Sequence, residues 1–129
     1  MVEAAIVLPV FFLLVLGLIE ISRLGMTAQL VTSAANAGCR VAVISGHTQA
    51  DVTTTVQNLM SSGGIGSSSY SMVTSPSDVT TTHLAGPASV NSVTVTISVP
   101  FNRVSWLATP LFLGSVTISS SATLTSERL

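Results

Sequence analysis

An α+β fold is predicted: a long N-terminal α-helix, apolar over its first half, packed against a small antiparallel β-sheet head that carries one short second helix. Three features of the 129-residue chain predict it. Ala4 to Ile19 is a run of sixteen positions without a charged side chain, bracketed by Glu3 and Glu20. Beyond Glu20 the apolar pattern turns periodic, with Ile21, Leu24, Ala28, Val31, Ala35, Gly38 and Ala42 separated by three or four residues, one stripe of one helix. Further on, Val93, Val95, Ile97 and Val99 alternate with Thr94, Thr96 and Ser98, the period of a half-buried strand.

The first helix is expected over residues 2 to about 44, since Pro9, Gly17 and Gly25 are the strongest breakers within it. At about 1.5 Å per residue that is roughly 65 Å. Its apolar half, with Ile6, Leu8, Phe11, Phe12, Leu14, Leu16 and Leu18, is slightly shorter than the roughly 20 residues that span a bilayer comfortably. An ordinary secretory signal would place Lys or Arg ahead of the run and a small-residue cleavage site after it, and Met-Val-Glu is a different prefix. The outer half carries small side chains on its stripe, Ala28, Ala35, Gly38 and Ala42 beside Val31, which permit close approach by the head's own sheet.

Ser45-Gly46 ends this helix, and a second begins at Thr48, with Asp51 placed for a capping box and Val52, Val56, Leu59 and Met60 as its apolar face. Gly63-Gly64 stops it. A weak strand is expected from Ser69 to Thr74, the clear one at residues 92–99, and a third where Val116, Ile118, Ser120, Ala122 and Leu124 alternate with hydroxyl residues. Between the last two, residues 106–114 (WLATPLFLG) are either a loop closing one end of the core or an apolar patch touching membrane or another subunit. Residues 76–89 read as a loop. The chain thus divides into an anchor helix, 1–45, and a head, 46–129, large enough for one small core.

Charged residues are only 7% of the chain against about 25% in an average soluble domain, so a basic surface for nucleic acid is excluded. The net charge is -1 and the mean hydropathy +0.71. The second half draws its polarity from Ser and Thr, 31 of residues 47 to 129, which suits an extracytoplasmic β-rich surface. Cys39 is the single cysteine, so no intrachain disulfide can form, and its small neighbours Ala37, Gly38 and Ala42 suit burial. The many serines with His47, His83, Asp51 and Asp78 are the candidates for hydrolysis, and His47, Asp51 and His83 for a metal, and none sits in a catalytic or ligand-spacing motif. No enzyme activity, cofactor or metal is expected. Glu20 and Arg23, three apart on the long helix, are expected to form a surface ion pair or to mark the membrane boundary.

The remaining acid carries most of the functional argument. Glu3 suits a helix N-terminus, where the backbone dipole favours negative charge by roughly 0.3–1 kcal/mol. Placing a carboxylate against hydrocarbon costs at least a few kcal/mol without a partner, so a cation is expected nearby. The α-amino group of Met1 or that of a neighbouring copy would serve; the alternative is a glutamate resting at the headgroup level.

The pattern V-E, an apolar stretch with an internal L-P, G-x-I-E-x-x-R, and an Ala-rich segment closing on G-C-R-V-A-V resembles the N-terminal signature of the TadE and TadG group of pilin-like proteins. The segments SVTVTISVPF and TPLFLGSVTISSSATLTSE resemble that family's head. The resemblance implies a leader removed by a prepilin peptidase, residence in the bacterial inner membrane, and transfer by pilus assembly machinery into an extracellular tight-adherence pilus, a homopolymeric helical filament. It implies that Glu3 neutralises a neighbouring subunit's terminal amine, and that Ala4 to Ile19 first anchors the subunit and later packs the filament core. The acid stands third here where pilin-like chains usually place it fifth after the cut, and Ala4 replaces the common Phe or Tyr. Either the sequence is a mature or truncated form in an unusual register, with Met1 a genuine residue after the cut, or processing differs. The other reading of the same features is a single-pass anchored extracytoplasmic binding domain, or a minor or tip pilin that does not form the main fibre.

Overall fold

A computed structural model describes residues 1–44, 46–77, 79, 92–107, 110 and 112–125. Helix α1 runs Val2–Val43 without a break, through Pro9, which lacks the N–H that would bond the carbonyl four residues back. It ends at Ile44, whose backbone is extended, and Gly46 follows with φ of 91°, a left-handed turn that glycine adopts without a Cβ penalty. Helix α2 spans Gln49–Ser62. Three strands follow, β1 at Ser71–Ser75, β2 at Ser92–Pro100 and β3 at Thr117–Thr125, antiparallel in the order β1-β2-β3. The arrangement is α+β.

Strand β1 starts later than the expected Ser69. Ser67–Ser69 is wound into a 3₁₀ turn closed by the Ser69 N–H on the Gly66 carbonyl at 2.9 Å, so pairing starts only at Ser71, opposite Ser98. Central strand β2 buries Val93, Val95, Ile97 and Val99, and pairs Val95 with Ala122 and Val99 with Ile118 of β3. The opposite face presents hydroxyls, Thr94 and Thr123 bonding each other across the strands at 2.8 Å.

The outer half of α1 lies on the apolar face of this sheet and against α2. Val31, Ala34, Ala35, Cys39 and Ala42 share one core with Val52, Val56 and Met60 of α2 and with the inward valines of β2, closed at one end by Phe101. Small side chains on α1 let both α2 and the sheet approach its backbone. The Cys39 thiol is buried and donates to the Val93 carbonyl at 3.3 Å, and burial pushes its pKa up. Masking of the thiol follows: Cys39 should resist modification in the folded protein.

Thr48 and Asp51 form the capping box at the start of α2, the carboxylate accepting the Thr48 N–H at 2.7 Å and its hydroxyl at 3.0 Å. These bonds to Thr48 hold the Asp51 carboxyl below its ordinary value, with His47 adding a smaller pull. A depressed carboxylate stabilises the fold above its unfolded-state pKa, and that contribution is lost as pH falls through the folded-state value. Thr48→Ala is expected to lower stability by about 1 kcal/mol. Asp51→Asn should be less stable than the parent at neutral pH, with the gap in thermal midpoint closing in strong acid.

Candidate functional site

The free half of α1 is the most unusual surface of the molecule. From Val2 to Leu14 every side chain is exposed; Val15, Leu16 and Gly17 are half-buried, and Leu18 and Ile19 are again exposed. Of the residues expected to form an apolar core with other copies, Ile6, Leu8, Phe11, Phe12, Leu14 and Leu18 face outward and Leu16 is half-buried. Met1 and Glu3 stand exposed at the tip, with Glu3 in the first turn. The residues expected to meet the head lie at the other end: Val31, Ala35, Gly38 and Ala42 are buried and Ala28 is half-buried. Among the described residues α1 is the one helix long and apolar enough to cross a membrane. Burial among the described residues does not account for that length, since only 6% of its most apolar window is buried.

Glu20 requires a correction. It does not lie at the surface: it is 1% exposed, and Oε2 accepts the Phe112 N–H at 3.3 Å. Arg23 turns another way, donating from Nε to the Val104 carbonyl at 3.1 Å and laying its guanidinium over the Trp106 ring at 5.1 Å from the centroid. Both contacts come from the connection between β2 and β3, which the spacing of Glu20 and Arg23 on the helix alone could not reveal. Phe112 of that connection lies beside Gly17, where an added Cβ would sit 3.9 Å from its ring. Phe112 and Leu113 wall a groove of about 480 Å³ with Leu14, Gly17, Leu18 and Ile21, its floor reaching Glu20. Trp106 and Phe112 are each 70% exposed. Leu113 packs against the head core, as expected of a loop that closes it, while Trp106 and Phe112 of the same segment stay exposed.

Among the described residues the candidates for chemistry are not assembled into a site. His47 Nδ1 lies 3.6 Å from Asp51 Oδ2, and Asp51 is already committed to capping α2. Asp78 and His83, with most of the loop at 76–89, lie outside the described residues. Among the described residues no group of three His, Cys, Asp or Glu side chains could hold a metal ion. What the arrangement offers is physical: a greasy rod tipped with an acid, joined to a hydroxyl-faced head by a collar of aromatic and charged side chains.

Residues 1–40 match the family model described as TadE-like protein, which covers the free half of α1, the Glu20 and Arg23 collar and most of the segment buried in the head. No curated protein and no solved structure matches the chain.

Proposed function

We propose, from a TadE-like N-terminal segment whose apolar half stands free of its own head, that this chain is a structural subunit of a tight-adherence pilus. The observation that carries this reading is the exposed rod from Val2 to Ile19, next to a head that is already closed around the outer half of the same helix. An apolar surface of that extent is stable only in lipid or against other protein. The subunit first holds this segment in the inner membrane and is then drawn by the pilus machinery, after removal of a leader by a prepilin peptidase, into an extracellular filament with helices inside and hydroxyl-faced heads outside. Its role is mechanical, with no catalysis.

Assembly of this kind needs no large net driving force from the apolar side chains, because lipid tails and neighbouring helices are similar surroundings. Head-to-tail contacts between identical subunits that do not close generate a filament. Register is set by Glu3: moved into a core of helices without a cation, its charge would cost several kcal/mol, and the terminal amine of an adjoining copy satisfies it. The filament core is then built from Ile6, Leu8, Phe11, Phe12, Leu14, Leu16 and Leu18 of successive copies.

Material sheared from the surface of expressing cells tests this directly. Negative-stain images should show fibres that pellet and contain this chain as their bulk component. A chain that remains with the membrane fraction while fibres lack it would contradict the reading and favour an anchored binding domain.

A further inference from the structure

We propose that the connection between β2 and β3 is a second membrane-contacting element, with Phe112 entering the hydrocarbon beside Gly17 and Trp106 lying at the headgroup level beside Arg23. The inference rests on the reading that the free half of α1 occupies a bilayer before assembly, and it adds a contact made by the head itself.

Depth along the helix supplies the first argument. From Glu3 to Arg23 is twenty residue steps, about 30 Å at 1.5 Å each, which equals the thickness of a typical hydrocarbon core. The two charges therefore bracket the apolar layer, and Arg23 marks its boundary on the head side. Trp106 is held at that boundary by the 5.1 Å contact with the Arg23 guanidinium. Gly17 lies six steps deeper, about 9 Å, and Phe112 is against it. An exposed tryptophan at the boundary and an exposed phenylalanine one to two turns below it follow the usual order of an aromatic belt above lipid tails.

Glu20 supplies the second. It falls between these two levels, inside the layer by the same ruler, where a lipid-facing carboxylate would be unfavourable. The fold screens it: the carboxyl is almost fully buried and takes the Phe112 N–H. The connection thus has to follow α1 below the boundary, which carries the Phe112 ring with it. The groove beside Phe112 is lined by Leu14, Leu18 and Ile21 and is continuous with the exposed apolar rod, so the same solvent covers both. That solvent is lipid.

Trp106 is the only tryptophan of the chain, so its fluorescence reports this contact without labelling. The full chain is reconstituted into phosphatidylcholine vesicles, plain or carrying bromine near the headgroup end or near the terminal end of the acyl chains. Emission shifted to the blue of a water-exposed tryptophan is expected, with quenching stronger for the shallow bromines than for the deep ones. Phe112→Asp should lose most of that quenching while still floating with the vesicles, and Phe112→Leu should keep it. Water-like emission that bromine does not alter, in protein that floats, would overturn this inference and leave the anchoring by α1 intact. Quenching that weakens as the protein-to-lipid ratio rises would assign the patch to a second copy and also overturn it. A chain that fails to float would overturn the anchoring and this inference together.

Discussion

Replacing Glu3 with alanine should leave the chain inserted in the membrane with its head folded, and should abolish fibres or render them disordered. The head does not use this residue: Glu3 lies at the far tip of α1 and is exposed, whereas the core shared by α1, α2 and the sheet begins beyond Glu20. Insertion does not use it either, since removing a charge from the end of an apolar helix makes membrane residence easier. What is lost, on the proposed assembly, is the charge that finds a cation only when copies are in register. Truncating one member of a buried ion pair typically costs about 3–5 kcal/mol, because the other charge is left uncompensated. In a filament that penalty recurs at each subunit. Glu3→Gln, which keeps the shape and removes the charge, should fail in the same way. Fractionation and electron microscopy on the same cells separate the outcomes, and normal fibres from either variant would reject the pairing role.

The second large effect is expected at Gly38, and on stability. Glycine in the middle of a helix is worth about 1 kcal/mol less than alanine, so a favourable exchange is forgone here for a reason. A Cβ built at Gly38 would lie 2.7 Å from Val56 Cγ2, with Val95 Cγ1 at 3.6 Å and Val52 Cγ1 at 3.7 Å. The clash is with Val56 of α2, a β-branched and stiff side chain, while the approaches to Val52 and Val95 are ordinary contacts, so relieving it means shifting Val56 or α2. For Gly38→Ala the propensity gain offsets part of an overpacking penalty of about 1–3 kcal/mol. Gly38→Val adds two more carbons at the same point and should cost about 3 kcal/mol or more, a large share of the roughly 5–15 kcal/mol that holds a domain together. Thermal unfolding of the full chain in detergent measures the loss, and Cys39, one residue away, should become open to thiol reagents well below the parent's midpoint. Gly25→Ala is the control. Among the described residues nothing lies within 4 Å of its added Cβ, so it should match or exceed the parent in stability.

Much of this architecture was legible in the residues because each element obeys one strong local rule. The unbroken apolar run through Gly17 and the 3.6-residue stripe through Gly25 made α1 one helix, the Thr48 and Asp51 spacing announced the start of α2, and strict alternation located β2 and β3. The start of β1 was less legible, because Ser67 to Ser71 has no apolar alternation and the turn on Gly66 decides where pairing begins. The collar was illegible for a different reason. Partners of Glu20 and Arg23 include Phe112, Val104 and Trp106, more than eighty positions away, and two of those contacts are to backbone atoms, which leave no mark on composition or spacing. The signal that existed was the oddity itself: a carboxylate directly after sixteen uncharged residues, followed far downstream by an apolar segment rich in aromatics. In the proposed arrangement depth in a membrane connects the two, and sequence periodicity does not contain it.

Zero-length cross-linking of Glu3 measures the central claim most directly. Cells expressing isotopically light and heavy forms of the chain are mixed before assembly, sheared fibres are treated with a carbodiimide, and peptides are sequenced by mass spectrometry. The account predicts an amide between the Glu3 carboxylate of one copy and the terminal amine of another, found in mixed light and heavy pairs. Fibres in which Glu3 is linked only within its own chain, or remains free while neighbouring amines react elsewhere, would contradict it.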